Sequence, residues 1–238
     1  MTPGHRVPGL LPAVREALAG AGDPVRAAGQ QAYMKSEIPY RGLTSPELRA
    51  LLRPLLADPV LAPRSREEWE AAVRELWDAP AYREERYAGL AVTGHRAARQ
   101  WQGPASLPLY RHLVETGAWW DVVDPLAADR VGPILMHHRD AVTPTIRTWG
   151  TDDDLWVRRT AILAQLKHGA ATDVTLLAEV LDANLEGSLH GREFFVRKAV
   201  GWALRQYART DPEWVRAYVD ARGAGLSGLS RREAMKHL

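Results

Sequence analysis

The chain has 238 residues, 46% of them hydrophobic and 25% charged, with a formal net charge of +2 and no cysteine. This is the composition of an ordinary folded protein, and it excludes disulfides, zinc–thiolate centres, iron–sulfur clusters and cysteine nucleophiles. No apolar run reaches ~18 residues and the first twenty lack a leader pattern, so the expectation is a cytoplasmic protein without membrane spans.

The predicted elements are helices throughout. Residues 1–30 carry Pro3, Pro8, Pro12 and a GAGDP break, which predicts an N-terminal cap with one helix over 11–20. Ser45 reads as an N-cap with Pro46 at the first helical position, ahead of Leu48, Leu51, Leu52, Leu55 and Leu56. In REEWEAAVRELWDAP a stripe of Trp69, Val73, Leu76 and Trp77 predicts a helix that stops before Pro80. Glu67-Glu68 and Glu84-Glu85 read as solvated faces, and Gly117 as a turn or C-cap glycine. The acidic run 152–154 fits a capped helix start before Leu155. TLLAEVLDANLEGSL and FFVRKAVGWALRQYA are helical as well. No stretch alternates with period two, so no strand is expected.

A repeat underlies these helices. Tyr82, Trp119, Trp156 and Phe195 each open a helical run, spaced 37, 37 and 39 residues apart. A period near 40 with paired helices is the HEAT/armadillo register. Such units bury their apolar faces only by stacking, which predicts an all-α, curved α-solenoid. With no long linker, residues 1–238 read as a single HEAT-like repeat domain.

Charge is uneven along the chain. Residues 155–238 carry 13 Lys/Arg against 9 Asp/Glu, whereas the rest is slightly acidic, and lysine occurs only at Lys35, Lys167, Lys198 and Lys236. An arginine-rich, basic C-terminal part suits an anionic partner. The paired His137 and His138 have no carboxylate or cysteine cluster beside them, so no metal is assigned. No nucleotide-binding loop or Ser-His-Asp order is present, and no cofactor is expected.

WWDVVD, residues 119–124, is the segment richest in chemistry. Trp120 and Asp124 are four apart and share a helix face. Arg159 lies on the corresponding helix of the next repeat, and Trp202 on the one after. One reading makes Trp119, Trp156 and Trp202 core packing and Asp124–Arg159 a structural ion pair. The other places rings, carboxylate and guanidinium on one concave wall. Indole faces favour cations and sugar C–H groups. A carboxylate in a low-dielectric wall stabilises developing positive charge. Together they suit cleavage of an N-glycosidic bond in nucleic acid, through an oxocarbenium-like sugar. Pro125 follows Asp124 directly, which predicts a kink or a restart of the helix there.

QAYMK at 31–35, RELWD at 74–78, WWDVVD at 119–124, LWVRRTAIL and QLK within 155–167, EFFVRKAVGWALRQYA at 193–208 and LSRREAMKHL at 229–238 occur in one order. In these stretches the sequence resembles the AlkD-type DNA alkylation-repair glycosylases, a bacterial family of HEAT-like repeats. The resemblance implies a monofunctional hydrolase that removes N3- and N7-alkylated purines from double-stranded DNA without flipping the base, acting as a monomer. It implies Asp124 as the catalytic carboxylate, Trp120 and Trp202 facing the lesion, Arg159 in the same wall and Tyr33 at the lesion edge. Arg158, Arg197, Lys198 and Arg205 are candidates for phosphate contact. Relatives that bind DNA without catalysis, or that act on bulky adducts, define the alternatives.

Overall fold

The computed structural model describes residues 9–238, and within them every regular element is helical. Residues 1–8, with Pro3 and Pro8, lie outside the described residues. The helices gather into two compact units, one ending at Trp101 and the other running from Gln102 to Leu238.

The first unit holds α1 (Leu10–Ala19), α2 (Pro24–Met34), α3 (Ser45–Ala57), α4 (Arg66–Asp78) and α5 (Arg83–Thr93). The expected N-terminal helix is α1, shifted by one residue from 11–20, and it packs on α3, α4 and α5. The cap of α3 is Thr44 rather than Ser45. Thr44 and Glu47 form a reciprocal capping box, which moves Pro46 one place into the helix. The stripe of α4 is fully buried: Trp69, Val73, Leu76 and Trp77 have no exposed surface. Each contributes roughly 1.5–3 kcal/mol or more of burial.

Glu84 and Glu85 do not form a solvated face. Glu84 is buried and accepts hydrogen bonds from the backbone N–H groups of Arg41, Gly42 and Leu43. Glu85 is buried against Arg15, 3.1 Å away. The irregular segment before α3 has backbone donors without a helix to use them, and the carboxylate supplies their acceptors. On that segment hangs α2, none of whose residues is buried. Asp23 N–H donates to Arg41 O at 2.8 Å, and Gln30 Nε2 donates to Leu43 O at 3.0 Å. Gly42 is required here. Its φ is +90°, and a Cβ would fall 2.0 Å from Asp23 O.

The second unit holds α6 (Leu107–Gly117), α7 (Trp120–Leu126), a π-helical turn (Ala127–Val131), α8 (Gly132–His137), α9 (Arg139–Gly150), α10 (Leu155–Leu163), α11 (Val174–Asp182), α12 (Phe194–Tyr207), α13 (Pro212–Arg222) and α14 (Gly228–Ala234). Gly117 is the last residue of α6, and Ala118 takes the left-handed position after it at φ 43°. Asp154 caps α10, accepting from Trp156 N and Val157 N. The helix expected over 175–189 ends at Asp182, because Asn184 turns the chain: its Nδ2 donates to Gly150 O and Val180 O, both at 2.8 Å. Pro125 does not break α7. The helix passes through it, and a π-helical turn follows over Ala127–Val131, just before Pro133 of α8.

Candidate active site

Three of the four repeat openers, Trp119, Trp156 and Phe195, meet in space. The ring of Trp119, the N-cap residue of α7, lies 6.0 Å from that of Trp156 on α10 and 5.3 Å from that of Phe195 on α12. Trp156 and Phe195 lie 5.0 Å apart. All three rings are half-buried. This aromatic cluster packs the starts of three helices, α7, α10 and α12, against one another.

Beside this cluster Asp124 of α7 and Arg159 of α10 meet. The guanidinium grips the carboxylate through two bonds, Nε to Oδ1 at 2.7 Å and Nη2 to Oδ2 at 2.8 Å. Arg159 Nη1 also donates to the carbonyl of Phe195, so one side chain ties together α7, α10 and α12. The Arg159 side chain is 4% exposed and that of Asp124 15%. The carboxylate therefore keeps an open edge while its partner is sealed. Burial pushes the Asp124 carboxyl above its ordinary pKa, against the opposing pull of Arg159, and the charge of Asp121 one turn back adds to the rise. Two carboxylates near one guanidinium make the spot receptive to a cation, while the bidentate grip fixes the geometry of Asp124.

Trp120 opens α7 one turn before Asp124, on the same face and ~6 Å along the axis, and is half-buried. Trp202 lies on α12 seven residues beyond Phe195, the same face two turns on, and is also half-buried. Tyr33 is on α2 in the first unit and 76% exposed.

The basic candidates separate sharply. Arg158 is buried and turned inward, donating to the carbonyls of Asp152, Thr151 and Ala183 and to Asn184 Oδ1. It serves as a strut between α10 and the segments around it. Arg197 is half-buried, and its Nε is sealed without an acceptor among the described residues. Lys198 and Arg205 both pair with Glu233 of α14.

Glu233 was missed by the sequence reading. The signal for it existed: Lys198 and Glu233 are 35 residues apart, the spacing that also joins Asp124 to Arg159. Of the two histidines, His137 is occupied with Pro133 O at 2.7 Å, and His138 precedes α9.

The chain belongs to the family of DNA alkylation repair enzymes, whose profile matches residues 14–238. Among solved structures, a predicted DNA alkylation repair enzyme from Enterococcus faecalis matches with a TM-score of 0.80 at 29% identity, over 91% of this chain and 96% of that one. No curated protein matches the sequence. Membership makes DNA the partner. No helix among the described residues is long and apolar enough to cross a membrane.

Proposed function

We propose that the protein is a monofunctional DNA glycosylase that hydrolyses the N-glycosidic bond of N3- and N7-alkylated purines in duplex DNA, acting as a monomer. The observation that carries this reading is the partly open carboxylate of Asp124, fixed by Arg159 and one turn from Trp120.

Alkylation gives the purine a positive charge. When the bond from C1′ to N9 breaks, its electron pair leaves with the purine and neutralises that charge, so no strong general acid is needed. The sugar left behind is oxocarbenium-like. Asp124 stabilises that cation electrostatically and orients the water that adds to C1′, whose proton passes to solvent. Trp120 and Trp202 supply ring faces to the sugar and the cationic lesion. The base stays out of any closed pocket.

The decisive experiment is a base-release assay on duplex DNA carrying N7-methylguanine or N3-methyladenine. Wild type releases the free base and leaves an abasic site. Asp124→Asn loses at least about 100-fold in rate while its duplex affinity stays within about threefold. A second reading, a DNA-binding protein without catalysis, draws on the same bidentate grip, which would also serve a structural ion pair. It wins if wild type releases no base and Asp124→Asn behaves like wild type.

A further inference from the structure

On α12, Lys198, Trp202 and Arg205 stand at positions i, i+4 and i+7, one continuous stripe of the helix. A single carboxylate from α14 serves both cations. Glu233 Oε2 lies 2.6 Å from Lys198 Nζ, and Oε1 pairs with Arg205 Nη1. The approach depends on Gly201, where a Cβ would fall 2.6 Å from Glu233 Cβ and 2.8 Å from Ser230 O. Ser230 Oγ adds a bond to Arg197 O at 2.8 Å, which fastens α14 to α12.

The three members are unequally placed. The Glu233 side chain is 9% exposed, that of Arg205 22% and that of Lys198 40%. The trio carries two positive charges and one negative, a surplus of one. A half-exposed lysine pair contributes little and is given up at low cost. A buried carboxylate stripped of all partners is costly, and the arginine beside it is the more enclosed cation with the more rigid fork.

We infer that Lys198 is a phosphate-binding lysine whose resting counter-ion is Glu233. On binding DNA, the ammonium leaves Glu233 for a backbone phosphate beside Trp202, and Arg205 stays with the carboxylate. Glu233 holds the phosphate's place in free protein, and Arg205 is an anchor instead of a second DNA contact. The inference rests on the reading that the Trp202 stripe faces the lesion-bearing duplex, and it does not require that the base be released.

The test is binding of an undamaged duplex across a salt series, which is independent of base release. Lys198→Met weakens binding roughly five- to tenfold, and its log–log salt slope falls by about 0.9, one phosphate contact. Glu233→Gln frees the ammonium while its amide oxygen still accepts from Arg205, and it tightens binding roughly three- to tenfold. In the double variant that gain disappears, because it needed the lysine. Thermal melts confirm that each variant is folded. The inference is overturned if Lys198→Met leaves affinity and slope unchanged, or if the two substitutions act additively. If the binding pattern holds but no variant, wild type included, releases alkylated base, the glycosylase reading fails and this one stands.

Discussion

Two carboxylates, Glu84 buried in the first unit and Asp124 half-buried in the second, show how the same group can be held in two ways. Glu84 is 1% exposed, and its oxygens are taken up by three consecutive backbone N–H groups. Nothing of it is left to meet a ligand. Among the described residues Asp124 pairs with one side chain, a guanidinium that occupies one side of the carboxylate and leaves an edge open. Donors fixed in the backbone make an acid a structural pin. A partner carried on another helix's side chain holds an acid in place and leaves part of it to do chemistry.

The contrast can be broken most forcefully by neutralising each acid in turn. Asp124→Asn removes at least about 100-fold of the base-release rate, whereas Glu84→Gln leaves turnover on saturating DNA near wild type. Equal losses in both variants would erase the distinction. Stability is sensitive at both sites. Glu84→Ala strands three backbone donors and lowers unfolding free energy by about 3 kcal/mol in denaturant titration. Arg159→Leu also destabilises, by about 3–5 kcal/mol, because it leaves Asp124 buried without its partner.

The pH dependence sharpens the comparison. In the proposed mechanism catalysis needs the Asp124 carboxylate, so the expected rate falls as pH drops through its raised pKa, above the ordinary aspartate value. Asp121→Asn removes a repelling charge and moves this acid limb to lower pH; a limb that stays in place would assign it to another group. Stability responds differently. A carboxyl raised in the folded state favours folding when protonated, so acid does not unfold the protein through Asp124. Asp152 and Asp182 behave in the opposite way. Burial raises each, but Arg111 and the Asp154 N–H outweigh it at Asp152, and Arg222 and Tyr218 outweigh it at Asp182. Their folded-state values lie below the ordinary one, so their stabilisation is present above it and is lost as pH falls towards the lowered values. In the proposed mechanism the acid limb of base release is therefore expected at a higher pH than the loss of stabilisation from these two aspartates. The smallest effect belongs to Pro125→Ala. Restoring the missing N–H changes stability by about 1 kcal/mol or less in thermal melts, since α7 already runs unbroken through the proline.

Much of this was legible in the sequence because period and punctuation are local. The stripe Trp69-Val73-Leu76-Trp77 and the openers Trp119, Trp156 and Phe195 could be read directly, and these three rings cluster. Asp124 and Arg159, expected on corresponding helices of adjacent repeats, do pair. What escaped depends on which donor happens to lack an acceptor. Glu84 looked like a solvated acid because its three backbone partners lie more than 40 residues upstream. Arg158 and Arg159 are neighbours of identical type, yet one faces interior carbonyls and the other a carboxylate, a difference of 100° around the helix that composition does not encode.

The ring cluster at the helix openings also gives the protein an intrinsic optical signature. Indoles as close as Trp119 and Trp156, 6.0 Å between centroids, couple their excited states and leave an exciton couplet in circular dichroism. Because the same rings set the spacing of the helices that carry Asp124 and Arg159, the couplet reports without any label on whether those helices are in register.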